Sequence, residues 1–361
     1  MATPPIVFIV PGDPEQRTGG YLYDAQIAHH LKSQGLVVCV VGLSGAFPKA
    51  DETARQSMRQ ALGQAPTNAC IILDGLAMGG LGDDLVALKD EPHHQSQTWI
   101  GLVHHPLADE HGLSSSDQQH LKTQETLALR AVDAVVVTSP FTAQRLVEQG
   151  YLRSPPHVVT PGVTPAPLAL VAEEGQAVRQ EIRWLTVASL TPRKGHDVLL
   201  HALSELKDLD WICQWVGDPY RDPSHAKALV DLAHRLGLSD RIEWVGEADE
   251  TTLDHYYHQA HLSVLPSRYE GYGMVVTEAL ARGLPVITTD GGALAHTLPP
   301  GAGLMVAQGQ PAPLASALRQ WAEQPSLQRS LLKHAKAVRA QLNDWSHSGQ
   351  RFMQALGLDT L

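Results

Sequence analysis

The stretch SRYEGYGMVVTEALARGLPVITTDGG, residues 267–292, carries two carboxylates, Glu270 and Glu278, with seven residues between them. The first lies in a Gly/Tyr loop and the second inside a strong helix-forming run. On one helix their Cα atoms would stand ~12 Å apart along the axis. Carboxylates that cleave a glycosidic bond between them work at about 5–9 Å. The wider spacing suits two ends of a long ligand, each carboxylate accepting hydrogen bonds from hydroxyls. A nucleotide sugar has that form, with sugar hydroxyls at one end, ribose hydroxyls at the other and a diphosphate between. The backbone N–H groups of Tyr272, Gly273 and Met274 would then meet the phosphates at the positive end of a helix. The bland alternative is that Glu270 caps the helix and Glu278 is a solvated helix residue.

Three further stretches carry chemistry. WLTVASLTPRKGHDVLLHAL sets Arg193 and Lys194 in a strand-to-helix loop just before Gly195. Two cations at a helix N-terminus oppose the helix dipole, which is reasonable where an anion sits with them. RTGGYLYDAQIAHHL opens a helix on Gly19-Gly20, which permits close backbone approach to a phosphate or sugar. The spacing from Gly12 does not fit the dinucleotide fingerprint G-x-G-x-x-G. GLVHHPLADEHG ends an apolar strand on His104-His105, where an imidazole can hydrogen-bond a sugar hydroxyl. Each also has a plain reading, as an exposed charge pair, a flexible loop end and a strand-closing histidine.

The elements that must position these residues repeat. Apolar, β-branched runs at 6–10, 36–43, 69–75, 98–105, 133–139 and 157–162 alternate with helical patterns. A second series stands at 182–190, 211–217, 241–247, 261–267, 284–290 and 303–307. Such strands belong to parallel sheets covered on both faces, and the alternation predicts two doubly wound α/β domains. The Pro/Gly-rich stretch 160–176 reads as the connection between them. Boundaries are expected at 1–165 for the first domain, 166–176 for the linker and 177–340 for the second. A C-terminal helix in 341–361 is expected to pack back toward the first. Ligands of open α/β sheets bind at the C-terminal ends of the strands, where all four motifs fall.

The 361 residues carry a net charge of −11. Residues 1–170 hold 10 Lys+Arg against 16 Asp+Glu, and the remainder 17 against 22, so neither half is basic. Nucleic acid and anionic lipid are poor partners for such surfaces. No apolar run approaches a membrane span, and the N-terminal apolar stretch reads as a strand rather than a signal peptide. Cys39, Cys70 and Cys213 lie in apolar runs and read as buried, reduced thiols of a cytoplasmic protein. His255, His258 and His261, three apart, have no Cys or carboxylate to complete a metal set. No D-x-D motif stands in a suitable loop, so neither a metal nor another cofactor is expected.

Taken in order, LTPRKGHDVLLHAL, VGDPYRD, SVLPSRYEGYGMVVTEALARGLPVITTDGG and AGLMV resemble the retaining glycosyltransferases of the GT-B fold, specifically the family 4 group. TSPFTAQRL and VVTPGV match weaker motifs of the first domain and linker. The resemblance implies two facing Rossmann-like domains with a deep inter-domain cleft. It implies transfer of a hexosyl unit from a nucleoside diphosphate sugar to an acceptor hydroxyl, with retention and without a metal. Residue by residue, Glu270 matches the carboxylate that holds the donor sugar, and Glu278 the one on the ribose. Gly271, Tyr272, Gly273 and Met274 match the amides at the sugar, and Lys194 the diphosphate lysine. His104 matches the first-domain histidine that contacts the sugar, with His105 beside it, and Gly19 and Gly20 match the loop over the phosphate. Three departures stand out. Ser189 replaces a common arginine, for which Arg193 can substitute; Pro161-Gly162 replaces an N-G pair; and GGALAHT lacks a glutamate after its glycines. Alternatives on the same fold are a sugar-nucleotide 2-epimerase and a transferase with a lipid-linked acceptor. The acidic first half favours a small soluble acceptor, with Tyr21, Asp24 and Asp109 as hydroxyl partners.

Overall fold

A computed structural model describes residues 3–174 and 181–358. The chain divides into two compact units, 1–162 with 343–361, and 163–342. The first unit is built on β1 (Ile6–Pro11), β2 (Val38–Leu43), β3 (Cys70–Asp74), β4 (Thr98–Val103), β5 (Ala134–Val137) and β6 (His157–Val158), in the order β2-β1-β3-β4-β5-β6. The second is built on β7 (Ile182–Val187), β8 (Trp211–Val216), β9 (Ile242–Gly246), β10 (Leu262–Leu265), β11 (Val286–Thr289) and β12 (Gly303–Val306), in the order β12-β11-β10-β7-β8-β9. Every strand pair is parallel. All twelve apolar runs of the sequence are therefore strands of two doubly wound sheets.

Both faces of each sheet are covered, which is why the central strands are apolar without alternation. In the first unit Ile9, Leu73 and Trp99 join one core, while Phe8, Ile72 and Tyr23 join another on the opposite face. In the second, Trp184, Trp215 and Leu199 lie on one side and Leu185, Val216 and Val276 on the other. β2 is an edge strand with mixed burial, and Cys39 on it is exposed, whereas Cys70 and Cys213 are buried. The expectation of three buried thiols is thus corrected at Cys39: an apolar run at a sheet edge lacks a cover on its outer side.

The expected linker is not a bare connection. A short helix, Leu170–Glu174, forms within it, and Ala169, Val171 and Ala172 join a core of the second unit. The expected linker end at 175–176 and the start of the second domain at 177–180 lie outside the described residues. At the other end of the chain, the helix Trp345–Ala355 packs on the helix Gly19–Ser33. Phe352 stacks on Phe8 at 6.4 Å, and the Ser348 hydroxyl donates to the Thr160 carbonyl at 2.8 Å. Gly349 permits this approach, since a Cβ there would sit 2.1 Å from the His30 ring. No helix among the described residues is long and apolar enough to cross a membrane.

Candidate functional site

In each unit the chemistry gathers at the C-terminal ends of three adjacent strands. In the second unit these are β7, β10 and β11. After β10 the chain runs through Ser267 to Glu270, whose backbone bridges Gly292 in the loop after β11. The Glu270 N–H donates to Gly291 O at 3.2 Å, and its carbonyl accepts from the Ala293 N–H at 2.8 Å. This approach explains both glycines of TTDGG. A Cβ at Gly291 would lie 2.6 Å from the Arg268 carbonyl oxygen, and one at Gly292, where φ is +67°, 2.3 Å from that of Glu270.

The Glu270 carboxylate is buried and fully engaged. Oε1 accepts from Lys194 Nζ at 2.6 Å and from Ser267 Oγ at 2.7 Å; Oε2 accepts from Arg193 Nη1 at 3.1 Å. Burial pushes its pKa up, but Lys194 and Arg193 outweigh that and hold it down at about 2. The two cations sit in a single 3₁₀ turn after β7, Pro192–Lys194, which ends on Gly195 at φ +70°. A Cβ on Gly195 would stand 2.1 Å from the Pro266 carbonyl oxygen, so the β7 and β10 loops touch there.

Arg268 clamps the same two loops. Its N–H donates to Arg193 O at 2.8 Å, and its guanidinium makes a fork on Asp197 at 2.8 and 2.6 Å while also reaching Pro192 O at 2.7 Å. Reading the sequence did not single out Arg268. Its partners lie some seventy residues earlier, and the one available signal was its place in the SRYEGYG stretch.

Glu270 does not cap the following helix. That helix, Met274–Ala281, starts after Gly273 at φ +92° with no side-chain cap. The positive φ calls for glycine there, and a Cβ would also crowd Leu294 Cδ2 at 2.6 Å. Gly271 is buried and Tyr272 half-buried; the Tyr272 carbonyl accepts from Thr297 Oγ1 at 2.5 Å. Glu278, on the helix itself, is half-buried rather than solvated. It accepts from the Tyr257 hydroxyl at 3.2 Å, and burial raises its pKa against the opposing Arg282. Ser189, where an arginine is common, is near the Gly217 turn: a Cβ on Gly217 would lie 2.9 Å from Ser189 N.

In the first unit the adjacent strands are β1, β3 and β4. Asp24 lies on the helix after β1, Asp74 is the last residue of β3, and His104 follows β4 directly. His104 Nε2 stands 3.2 Å from Asp24 Oδ1 and 3.3 Å from Asp74 Oδ2. Burial lowers the His104 pKa, but the two carboxylates overcome it and raise it to about 10. Burial lifts Asp24 to about 6. Gly20 makes room for the ring, a Cβ there falling 3.2 Å from His104 Cδ2. Gly19 is the first residue of the same helix, behind Thr18, which makes no side-chain cap. Among the described residues, Asp24, Asp74 and His104 form a grouping with ligand-type atoms close enough for a metal ion. The histidines at 255, 258 and 261 do not: His261 falls beyond the helix Glu250–Gln259, and its Nδ1 accepts from Arg183 N at 3.0 Å.

The expected acceptor residues, with His105 beside them, have the following partners. Asp24 is buried against His104. Asp109 receives a two-pronged bond from Arg145, at 2.8 and 2.7 Å, and the Tyr21 hydroxyl donates to Pro11 O. His105 Nε2 lies 3.1 Å from Glu110 Oε2. Each of the four thus has a partner within the first unit. Asp74 was missed altogether, since it reads as the polar end of the apolar run 69–75.

A family model described as glycosyl transferases group 1 matches residues 173–338. The mannosylfructose-phosphate synthase of Agrobacterium fabrum is 31% identical over 47% of this chain and 40% of its own length. A D-inositol 3-phosphate glycosyltransferase of Frankia alni is 34% identical over 47% of the chain and 44% of its own length. The matched stretch thus spans less than half of these two relatives. The sucrose-phosphate synthase structure from Thermosynechococcus elongatus superposes over 98% of both chains with a TM-score of 0.81 at 21% identity. That likeness shows the fold, which is GT-B.

Proposed function

We propose that the chain, whose residues 173–338 match the glycosyl transferases group 1, moves a hexosyl unit from a nucleoside diphosphate sugar to an acceptor hydroxyl, with retention at the anomeric carbon. The observation that carries this reading is the Glu270 carboxylate gripped by Lys194 and Arg193 beside the uncapped start of the helix Met274–Ala281. Glu270 is assigned to the donor-sugar hydroxyls, and Glu278 to the ribose. Lys194, Arg193 and the amides at Gly271–Met274 are assigned to the diphosphate. His104 is assigned to a substrate oxygen.

In this mechanism the acceptor oxygen bonds to the anomeric carbon as the bond to the diphosphate breaks. The departing phosphate oxygen takes the acceptor proton on the same face. The protein positions the reactants and stabilises the charge developing on the diphosphate. Two cations and a helix start supply that charge stabilisation, so no metal is required. The acceptor is proposed to be small and soluble. The acidic first half supports this, as do the names of the three relatives, each of which carries a small phosphorylated sugar or polyol.

The test is a panel of sugar nucleotides screened for thermal stabilisation, followed by acceptors with the best donor and an NMR reading of the product anomer. Inversion, or release of an altered sugar nucleotide without acceptor, would replace the reading with another. Co-sedimentation with anionic vesicles at low salt should show little binding; transfer to a lipid acceptor alone would overturn the soluble one.

A further inference from the structure

We propose that Asp24 and Asp74 are paired positioning residues that hold the His104 ring as a fixed cation, so that it works as a hydrogen-bond donor and not as a base. The inference deepens the glycosyltransferase reading and rests on it for the substrate, while the geometry stands within the first unit alone.

Two carboxylate oxygens at 3.2 and 3.3 Å from one buried ring nitrogen, neither aligned with its N–H, favour a proton on the ring through charge. Asp74 cannot turn away. Its Oδ1 accepts from the N–H groups of Leu76 and Ala77 at 2.9 and 3.2 Å, capping the short helix Gly75–Met78, and this leaves Oδ2 for His104. Asp24 is buried, and its Oδ1, 3.2 Å from His104 Nε2, accepts no aligned hydrogen bond among the described residues, so the contact is one of charge. Its approach depends on the start of the helix Gly19–Ser33, where Gly20 lets the ring lie close.

Neutral groups pack on the ring as well. Tyr23 meets the ring edge-on at 5.5 Å, and its hydroxyl donates to Val159 O at 2.9 Å. Trp345, on the C-terminal helix, backs Tyr23 at 5.9 Å. From the loop and helix after β5, Thr138 and Thr142 donate to the His104 carbonyl at 3.3 and 3.4 Å. Among the described residues, the charged groups paired with the ring are the two carboxylates. In a site of low dielectric they favour the doubly protonated ring, in agreement with its raised pKa.

Two functional consequences follow. A ring already protonated at both nitrogens takes no proton from an acceptor hydroxyl, which leaves that proton to the departing phosphate. Its Nε2 is buried beside the two carboxylates, and Nδ1–H is the group it offers to a substrate oxygen. Gly20, read from the sequence as a phosphate-approach glycine, has a second role in admitting the imidazole.

The experiment is a pH titration of the full chain, labelled with ¹⁵N-histidine, by long-range proton–nitrogen NMR, with His104 assigned through His104→Gln. His104 is expected to be doubly protonated at about pH 8, and neutral there in Asp24→Asn and in Asp74→Asn, near the ordinary histidine range. Asn keeps the shape and the capping oxygen, so both variants should melt close to the parent. Their transfer rates should fall about tenfold between about pH 6 and about pH 8, a limb the parent lacks. A neutral His104 in the parent at about pH 8 overturns the proposal. So do variants that lose rate equally at every pH with the ring still a cation. Stoichiometric Co²⁺ binding that vanishes in His104→Gln would show a metal site instead and also overturn it. If no sugar nucleotide is turned over while the ring is found charged, the proposed function fails and the charge assignment survives.

Discussion

The two units carry clusters of opposite sign at matching places. In the first, two carboxylates, Asp24 and Asp74, surround one histidine; in the second, two cations, Arg193 and Lys194, surround one carboxylate, Glu270. Each lies at the ends of three neighbouring strands, β1-β3-β4 and β11-β10-β7. The minority charge is driven hard toward its ionised form in both, His104 up to about 10 and Glu270 down to about 2. The majority charge is treated differently. In the first unit burial relieves the surplus by lifting Asp24 to about 6. In the second, Arg and Lys stay charged, which favours an anionic ligand. One scaffold thus builds a cluster whose surplus carboxylate is protonated only below about pH 6 and one whose surplus cation stays charged, and the difference lies in which groups titrate near neutrality.

The strongest way to break the comparison is to remove the minority charge in the second unit. Glu270→Gln should cut transfer by roughly 10- to 100-fold, the weight of a hydrogen bond to a charged group, with little change in far-UV circular dichroism. A folded variant turning over at the parent rate would end the donor-site assignment. Lys194→Ala should weaken nucleoside diphosphate binding about tenfold or more and leave bare nucleoside nearly unaffected, since only the phosphate charge is lost. Calorimetry with both ligands decides, and equal losses would remove the diphosphate role.

The clusters should also fail at opposite ends of the pH scale. Glu270 is depressed in the folded chain, so its contribution is complete above about pH 4.5 and is lost as the pH falls toward about 2, on the order of 3 kcal/mol in all. His104 is raised, so its contribution is complete below about pH 6.5 and is lost as the pH rises through about 10. Amide hydrogen exchange should show the β10–Glu270 region loosening first in acid and the β4–His104 region first in alkali. The reverse order would contradict the charge states of both clusters.

Smaller effects sharpen the picture. Gly20→Ala places a methyl 3.2 Å from the His104 ring and should lower the rate severalfold while shifting Tm by only a few degrees. Excess EDTA should leave initial rates unchanged, since neither cluster calls for a metal; a rate that collapses and returns with Mg²⁺ or Mn²⁺ would reopen the Asp24–Asp74–His104 grouping.

Much of this was legible in the residue order. Twelve apolar runs announced twelve strands, because a strand covered on both faces needs no polar alternation. The RKG, SRYEGYG and TTDGG stretches announced their loops, because glycines and charges at strand ends are costly unless used. What local pattern could not carry was proximity. Arg268 meets Asp197, Glu270 meets Lys194, and Asp74 meets His104 across separations of 71, 76 and about 30 residues. Strand order brings them together, and strand order depends on which crossovers pack best rather than on any one segment. The same limit hid the exposure of Cys39, since a run of Val and Leu reads alike at the edge and the centre of a sheet. Residue order by itself determined the element types and the chemistry available; the tertiary structure decided which charges share a site, and so which of them titrate.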